Sequence, residues 1–155
     1  MRKEVSTIKI YMKDEYSHMQ RIQQEILIAV QNNPTKLNLW KVIIAFEGDT
    51  FITSGRGKDG TGSTQFTYEI SRGAGKSGRH YNGESVDGFG NELWIILPDV
   101  QKKKSISRST VDRAYSTAME KMKTEGCVKG PKQLDVPGAH SYLFPMFIRF
   151  GIIRA

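Results

Sequence analysis

Two six-residue segments, Gly55-Arg56-Gly57-Lys58-Asp59-Gly60 and Gly73-Ala74-Gly75-Lys76-Ser77-Gly78, share the spacing G-x-G-x-x-G and set glycines beside cations. Glycine lets backbone amides approach an oxyanion closely, so the chemistry on offer is contact with phosphate. A dinucleotide site also needs a helix opening at the last glycines, and neither segment is followed by helical periodicity. A triphosphatase loop needs a glycine five positions before Gly75, where Ile70 stands. Nucleotide binding is therefore not expected. Two readings stay open: long hairpin loops, or clamps in which Arg56, Lys58, Arg72, Lys76 and Arg79 position a phosphodiester chain.

A second group, His80, Tyr81, Glu84, Asp87 and Glu92, lies at the far end of this glycine-rich stretch and offers the donors of a metal or acid/base site. No nuclease-like acid-x-Lys pattern accompanies it, and no histidine pair falls at helix spacing. His18, His80 and His140 are far apart, and the apolar neighbours of His140 favour a packed residue. Cys127 is the only cysteine, so an internal disulfide is excluded, and it reads as a small buried hydrophobe. No catalytic residue, metal or cofactor is expected.

Charge is the third source of chemistry. The 155 residues carry 23 Lys and Arg against 16 Asp and Glu, a net charge of +7 that favours polyanionic partners. Nine basic residues between 101 and 132 (Lys102, Lys103, Lys104, Arg108, Arg113, Lys121, Lys123, Lys129, Lys132) face only Asp112, Glu120 and Glu125, so that segment holds +6. The charge is a local footprint. No apolar run approaches the roughly 20 residues that span a bilayer, and Met1 to Lys13 lacks the apolar core of a signal peptide. A cytoplasmic protein without a membrane partner is expected, folded as one domain over residues 1–155.

The elements that would position these residues follow from hydrophobic spacing. Ile8, Ile10 and Met12 alternate as in a strand, and Met12, Tyr16, Met19, Ile22, Ile26 and Val30 then recur every three or four residues, predicting a helix with that stripe on the core. Trp40 to Phe46 and Phe51 to Thr53, joined by Glu47-Gly48-Asp49, read as a β-hairpin. Phe66, Tyr68 and Ile70 predict a strand, as does Leu93 to Leu97, with a lysine loop behind it. Val111, Ala114, Tyr115, Ala118, Met119 and Met122 define a second helix that ends at Gly126, with Ser109 and Asp112 as its capping box. A structured loop from Gly130 to Gly138 leads to a short helix over His140 to Phe150 that contains Pro145. The order β-α-β-β-β-β-α-α predicts an α+β fold: an antiparallel sheet of about four or five strands, two main helices and a short C-terminal helix.

The run Ser107-Arg108-Ser109-Thr110-Val111-x-x-Ala114, closing at Glu125-Gly126-Cys127-Val128, resembles the recognition helix and following turn of GntR-type winged helix-turn-helix regulators. That resemblance spans about 22 residues and implies that Arg108, Ser109, Thr110 and Arg113 touch DNA while Val111 and Ala114 pack inward. An equally available reading of Ser107 to Thr110 is a good helix start. More loosely, Gly90-Asn91-Glu92-Leu93-Trp94 and Gly130-Pro131-Lys132 resemble parts of small accessory proteins of phages and conjugative elements.

The leading expectation is a non-enzymatic accessory or regulatory protein of a mobile element that binds nucleic acid, DNA before RNA, through the face from Lys102 to Arg113 with the glycine-rich loops as clamps. The alternative is a protein inhibitor or adaptor acting on a nucleic-acid-handling enzyme, of the anti-restriction or anti-CRISPR type. An enzyme with a site near His80, Glu84 and Asp87 ranks last.

Overall fold

The longest element in the computed structural model is a helix, α1 (Arg2–Asn32). The structure describes residues 2–53, 63–72, 81–98, 101 and 103–155, with side chains from residue 17 onward within that set. The expected strand at Ile8 to Met12 is thus helical. Its five-residue alternation is outweighed by the spacing of three and four that already links Val5, Ile8 and Met12. The stripe expected on the core divides: Val30 is buried and Ile26 packs against the core, whereas Met19 is 60% and Ile22 41% exposed. Two amides tie α1 to the rest of the fold, Gln23 Nε2 donating to the Ala45 carbonyl at 3.1 Å and Gln31 Nε2 to that of Phe150 at 3.2 Å.

The expected hairpin from Trp40 is also a helix, α2 (Lys36–Ala45). An unbroken apolar run has no period of its own to separate a buried strand from a buried helix. Thr35 decides it, its extended backbone and its hydroxyl accepting from Asn38 N at 3.1 Å to start the helix after Pro34. Leu39, Trp40, Val42 and Ile43 then enter the core.

Four strands follow: β1 (Phe51–Ile52), β2 (Gln65–Arg72), β3 (Phe89–Ile96) and β4 (Lys104–Ser107). They form one antiparallel meander in the order β1-β2-β3-β4, with Tyr68 opposite Ile95 and Leu93 opposite Ile106. Phe66, Tyr68 and Ile70 are buried and Glu69 is exposed, the alternation expected of a sheet with one wet face. β4 replaces the expected lysine loop. Ile106 is its sole apolar residue, too little pattern to mark a strand.

β4 runs directly into α3 (Arg108–Glu125), so α3 is entered from a strand. Ser107, not Ser109, is its cap: the Ser107 hydroxyl accepts from Thr110 N at 3.2 Å, and Ser109 is already exposed on the first turn. Gly126 closes α3 at φ 77°, a conformation that suits glycine. A 3-10 turn at Pro131–Leu134 and α4 (His140–Arg149), with Pro145 inside it, complete the chain as the sequence predicts. Cys127 is half-buried, more open than expected.

The order is α-α-β-β-β-β-α-α, and the α+β class stands with four strands. One continuous core draws Val30 from α1, Trp40 from α2, Phe66 and Leu93 from the sheet, Val111 from α3 and Phe147 from α4. Among the described residues no helix is long and apolar enough to cross a membrane.

Candidate nucleic-acid interface

The period that buries Val111, Ala114, Tyr115 and Ala118 leaves Ser109, Arg113 and Ser116 exposed on the opposite side of α3. These three, with Thr117, line an open cleft of about 610 Å3. Its other walls are Lys36 at the start of α2, Tyr81 and Asn82 before β3, and Asp112 and Asp135. The cleft therefore sets two cations, two carboxylates, three hydroxyls from α3 and a side-chain amide around one space. One of those carboxylates is engaged, since the Tyr81 hydroxyl donates to Asp112. Burial and that hydrogen bond raise the Tyr81 phenol above its ordinary value, so it stays protonated at neutral pH.

Arg108 is not part of this surface. It is 1% exposed, with its guanidinium 4.2 Å from the Tyr81 ring centroid and 5.2 Å from that of Trp40. Nη1 donates to Asn91 Oδ1 at 3.0 Å, and Nε has no hydrogen-bond partner among the described residues. Burial lowers its pKa from the ordinary arginine value, opposed by Tyr81 and Asp112. The reason lies in the chain path: Ser107 ends a strand held in the sheet, so the first residue of α3 is turned inward. Arg108 thus supports the cleft wall from behind, stacking on the Tyr81 ring whose hydroxyl reaches Asp112.

The remaining expected residues fall into three groups. Ser109 and Arg113 are exposed in the cleft, and Thr110 is half-buried in the cap, its hydroxyl 2.9 Å from that of Ser107. Lys103, just before β4, and Lys104, its first residue, are exposed and are not part of the cleft lining; Lys103 approaches Glu69 at 3.5 Å, and Lys104 Nζ lies 5.8 Å from the Tyr142 ring centroid. Arg72 is taken up by the fold. Its two terminal nitrogens donate to Glu47 at 2.9 and 2.5 Å while its guanidinium stacks 4.4 Å from the Phe89 ring centroid. Burial works to raise Glu47, but the hydrogen bonds from Arg72 and from Ile70 N outweigh it and hold this carboxyl below its ordinary value. Lys102, Arg56, Lys58, Lys76, Arg79 and His80 lie outside the described residues, as do both G-x-G-x-x-G segments.

Glu84 and Asp87 are exposed and Glu92 is buried on β3, and among the described residues no three His, Cys, Asp or Glu side chains gather as a metal site. Lys36, Asn82, Ser116, Thr117 and Asp135 were not singled out by the sequence. Ser116 and Thr117 could have been, since they follow Arg113 by three and four residues on a helix. No protein-family model, no curated protein and no solved structure matches the chain.

Proposed function

We propose that the protein is a non-enzymatic nucleic-acid-binding protein, accessory or regulatory in role, that holds phosphates in the cleft of α3. The observation that supports it is the convergence of Arg113, Lys36 and the α3 hydroxyls on one open cleft. Cations supply attraction that water screens only in part, and hydroxyls and amides donate to phosphate oxygens in the usual positioning mode. Asp112 and Asp135 keep the local field moderate, so the cleft discriminates by donor geometry more than by bulk charge. The +6 carried between residues 101 and 132 adds long-range steering toward a polyanion.

The test is equilibrium binding of the full chain to labelled duplex DNA and to single-stranded RNA over a salt series. About three neutralised phosphates correspond to a loss of roughly 40-fold in affinity between 50 and 200 mM salt. Affinity no tighter than about 10⁻⁴ M at ~50 mM salt for both ligands would overturn the proposal. Tighter binding to DNA than to RNA is the expected order.

A further inference from the structure

The cleft of α3 also holds an aromatic ring that contact with phosphate does not use. Tyr81 is half-buried and lines the cleft. Three neighbours hold its ring in place. The buried Arg108 guanidinium lies over one face, 4.2 Å from the ring centroid. The hydroxyl donates to Asp112. The backbone of Gly83 runs so close to the ring that a Cβ at this position would collide with Tyr81 Cε1. The ring is thus fixed before any ligand arrives, and the surface its neighbours leave open belongs to the cleft. The next residue, Asn82, is exposed and lines the same space with a side-chain amide.

We infer that the cleft takes an unpaired nucleotide, its base stacked on Tyr81 and its phosphate on Arg113 and Lys36, so that the chain prefers single-stranded to duplex DNA. The inference rests on the reading of this cleft as a phosphate site. Phosphate contact accounts for the cations and hydroxyls, which carry no base information. It gives no role to an immobilised ring beside an exposed amide. An aromatic face is where an unstacked base binds, and an amide both donates to and accepts from a base edge. Duplex DNA keeps its base faces inside its own stack, so the cleft holds a duplex by its phosphates alone. The cleft volume of about 610 Å3 lies within the roughly 300 to 1,000 Å3 of sites that take one small molecule. Because Arg108, Asp112 and Gly83 already fix the ring, stacking on it costs little side-chain entropy.

The experiment is equilibrium binding of the full chain to a thymidine strand of about 12 nucleotides, and to the same strand paired with its adenosine complement, at ~50 mM salt. The wild type should hold the single strand about 10-fold tighter than the duplex, the worth of one stacked base. Tyr81→Phe keeps the ring and should stay within about 3-fold of the wild type on both ligands. Tyr81→Leu should lose about 10-fold on the single strand and less than about 2-fold on the duplex, a split that a merely destabilised chain would not show. With wild-type protein, a strand of 5-iodouracil should cross-link to Tyr81 under long-wavelength ultraviolet light, with the site read by peptide mass. A duplex bound as tightly as the single strand, equal losses on both ligands for Tyr81→Leu, or a bound strand that does not cross-link at Tyr81 would each overturn the stacking. If binding still weakens with salt in those cases, the phosphate reading stands. Affinity no tighter than about 10⁻⁴ M for both forms would overturn both.

Discussion

α3 and α1 are both two-faced helices, and their apolar faces meet different surroundings. On α3, Val111, Ala114 and Ala118 have no exposed surface, enclosed by α2, the sheet and α4. On the described part of α1, Val30 alone is fully buried, while Met19, Ile22 and Ile28 remain 41% to 60% exposed. Periodicity reports that a helix has a face; what lies across from that face is a property of the fold. The difference also sorts the chemistry. α3 spends its apolar side on the core and turns Ser109, Arg113 and Ser116 to a cleft, whereas the described part of α1 leaves Met19, Ile22 and Ile28 exposed.

The largest effect that would break this contrast is a buried charge. Val111→Asp places a carboxylate in a sealed site and should cost more than about 4 kcal/mol, a large part of the roughly 5 to 15 kcal/mol that stabilises an ordinary domain. Met19→Asp should change the unfolding free energy of the dilute chain by less than about 0.5 kcal/mol. Urea denaturation of both variants measures the pair, and equal effects would erase the distinction.

Next in size is the comparison of two arginines on α3 itself. Arg108→Ala removes a guanidinium packed between two aromatic rings and leaves a cavity, at a cost of about 2 to 4 kcal/mol. Arg113→Ala should stay within about 0.5 kcal/mol of the wild type. Thermal melts of the two variants decide whether Arg108 belongs to the fold or to the binding surface.

The smallest effect concerns Arg72, a cation engaged in the fold, in contrast to Lys36 and Arg113 of the cleft, which have no ion-pair partner among the described residues. Glu47 sits below its ordinary value in the folded chain because Arg72 and Ile70 N hold its carboxylate. The folded state then binds this proton less readily than the unfolded chain. The contribution of the pair is fully present above about pH 4.3 and is lost as pH falls through the lowered folded value. Glu47→Gln should therefore destabilise at pH 7 and by less at pH 3. Denaturant midpoints at the two pH values check it, and equal losses at both would contradict it.

Where burial and period coincide, the sequence was legible. β2 and β3 follow from Phe66, Tyr68, Ile70 and Leu93, and α3 from its buried period and its stop at Gly126, although its cap is Ser107 and not the expected Ser109. The failures have physical causes. Trp40 to Phe46 is apolar at every turn and has no period to read, so the cap at Thr35 carried the information. The Ile8 to Met12 alternation was too short to outweigh the longer helical spacing around it. Of the candidate site, Ser109 and Arg113 came from the GntR-type resemblance and, for Arg113, the basic run, but Lys36 came with α2, whose start before Trp40 the strand reading did not include. Arg108 shows the limit most plainly. Arginine at a helix start reads as a surface residue, and only the direct passage from β4 into α3 turns it inward.

The central claim is that the exposed cleft of α3, and not the net charge alone, holds phosphate. The direct measurement is the salt slope of duplex DNA binding for the wild type, Arg113→Ala and Lys129→Ala, the last removing an equal charge beyond the far end of α3. The account predicts that Arg113→Ala weakens binding at every salt concentration and makes the logarithmic slope shallower by about 0.9, one phosphate contact, while Lys129→Ala leaves the slope within about 0.3 of the wild type. Identical slopes for Arg113→Ala and the wild type would contradict it.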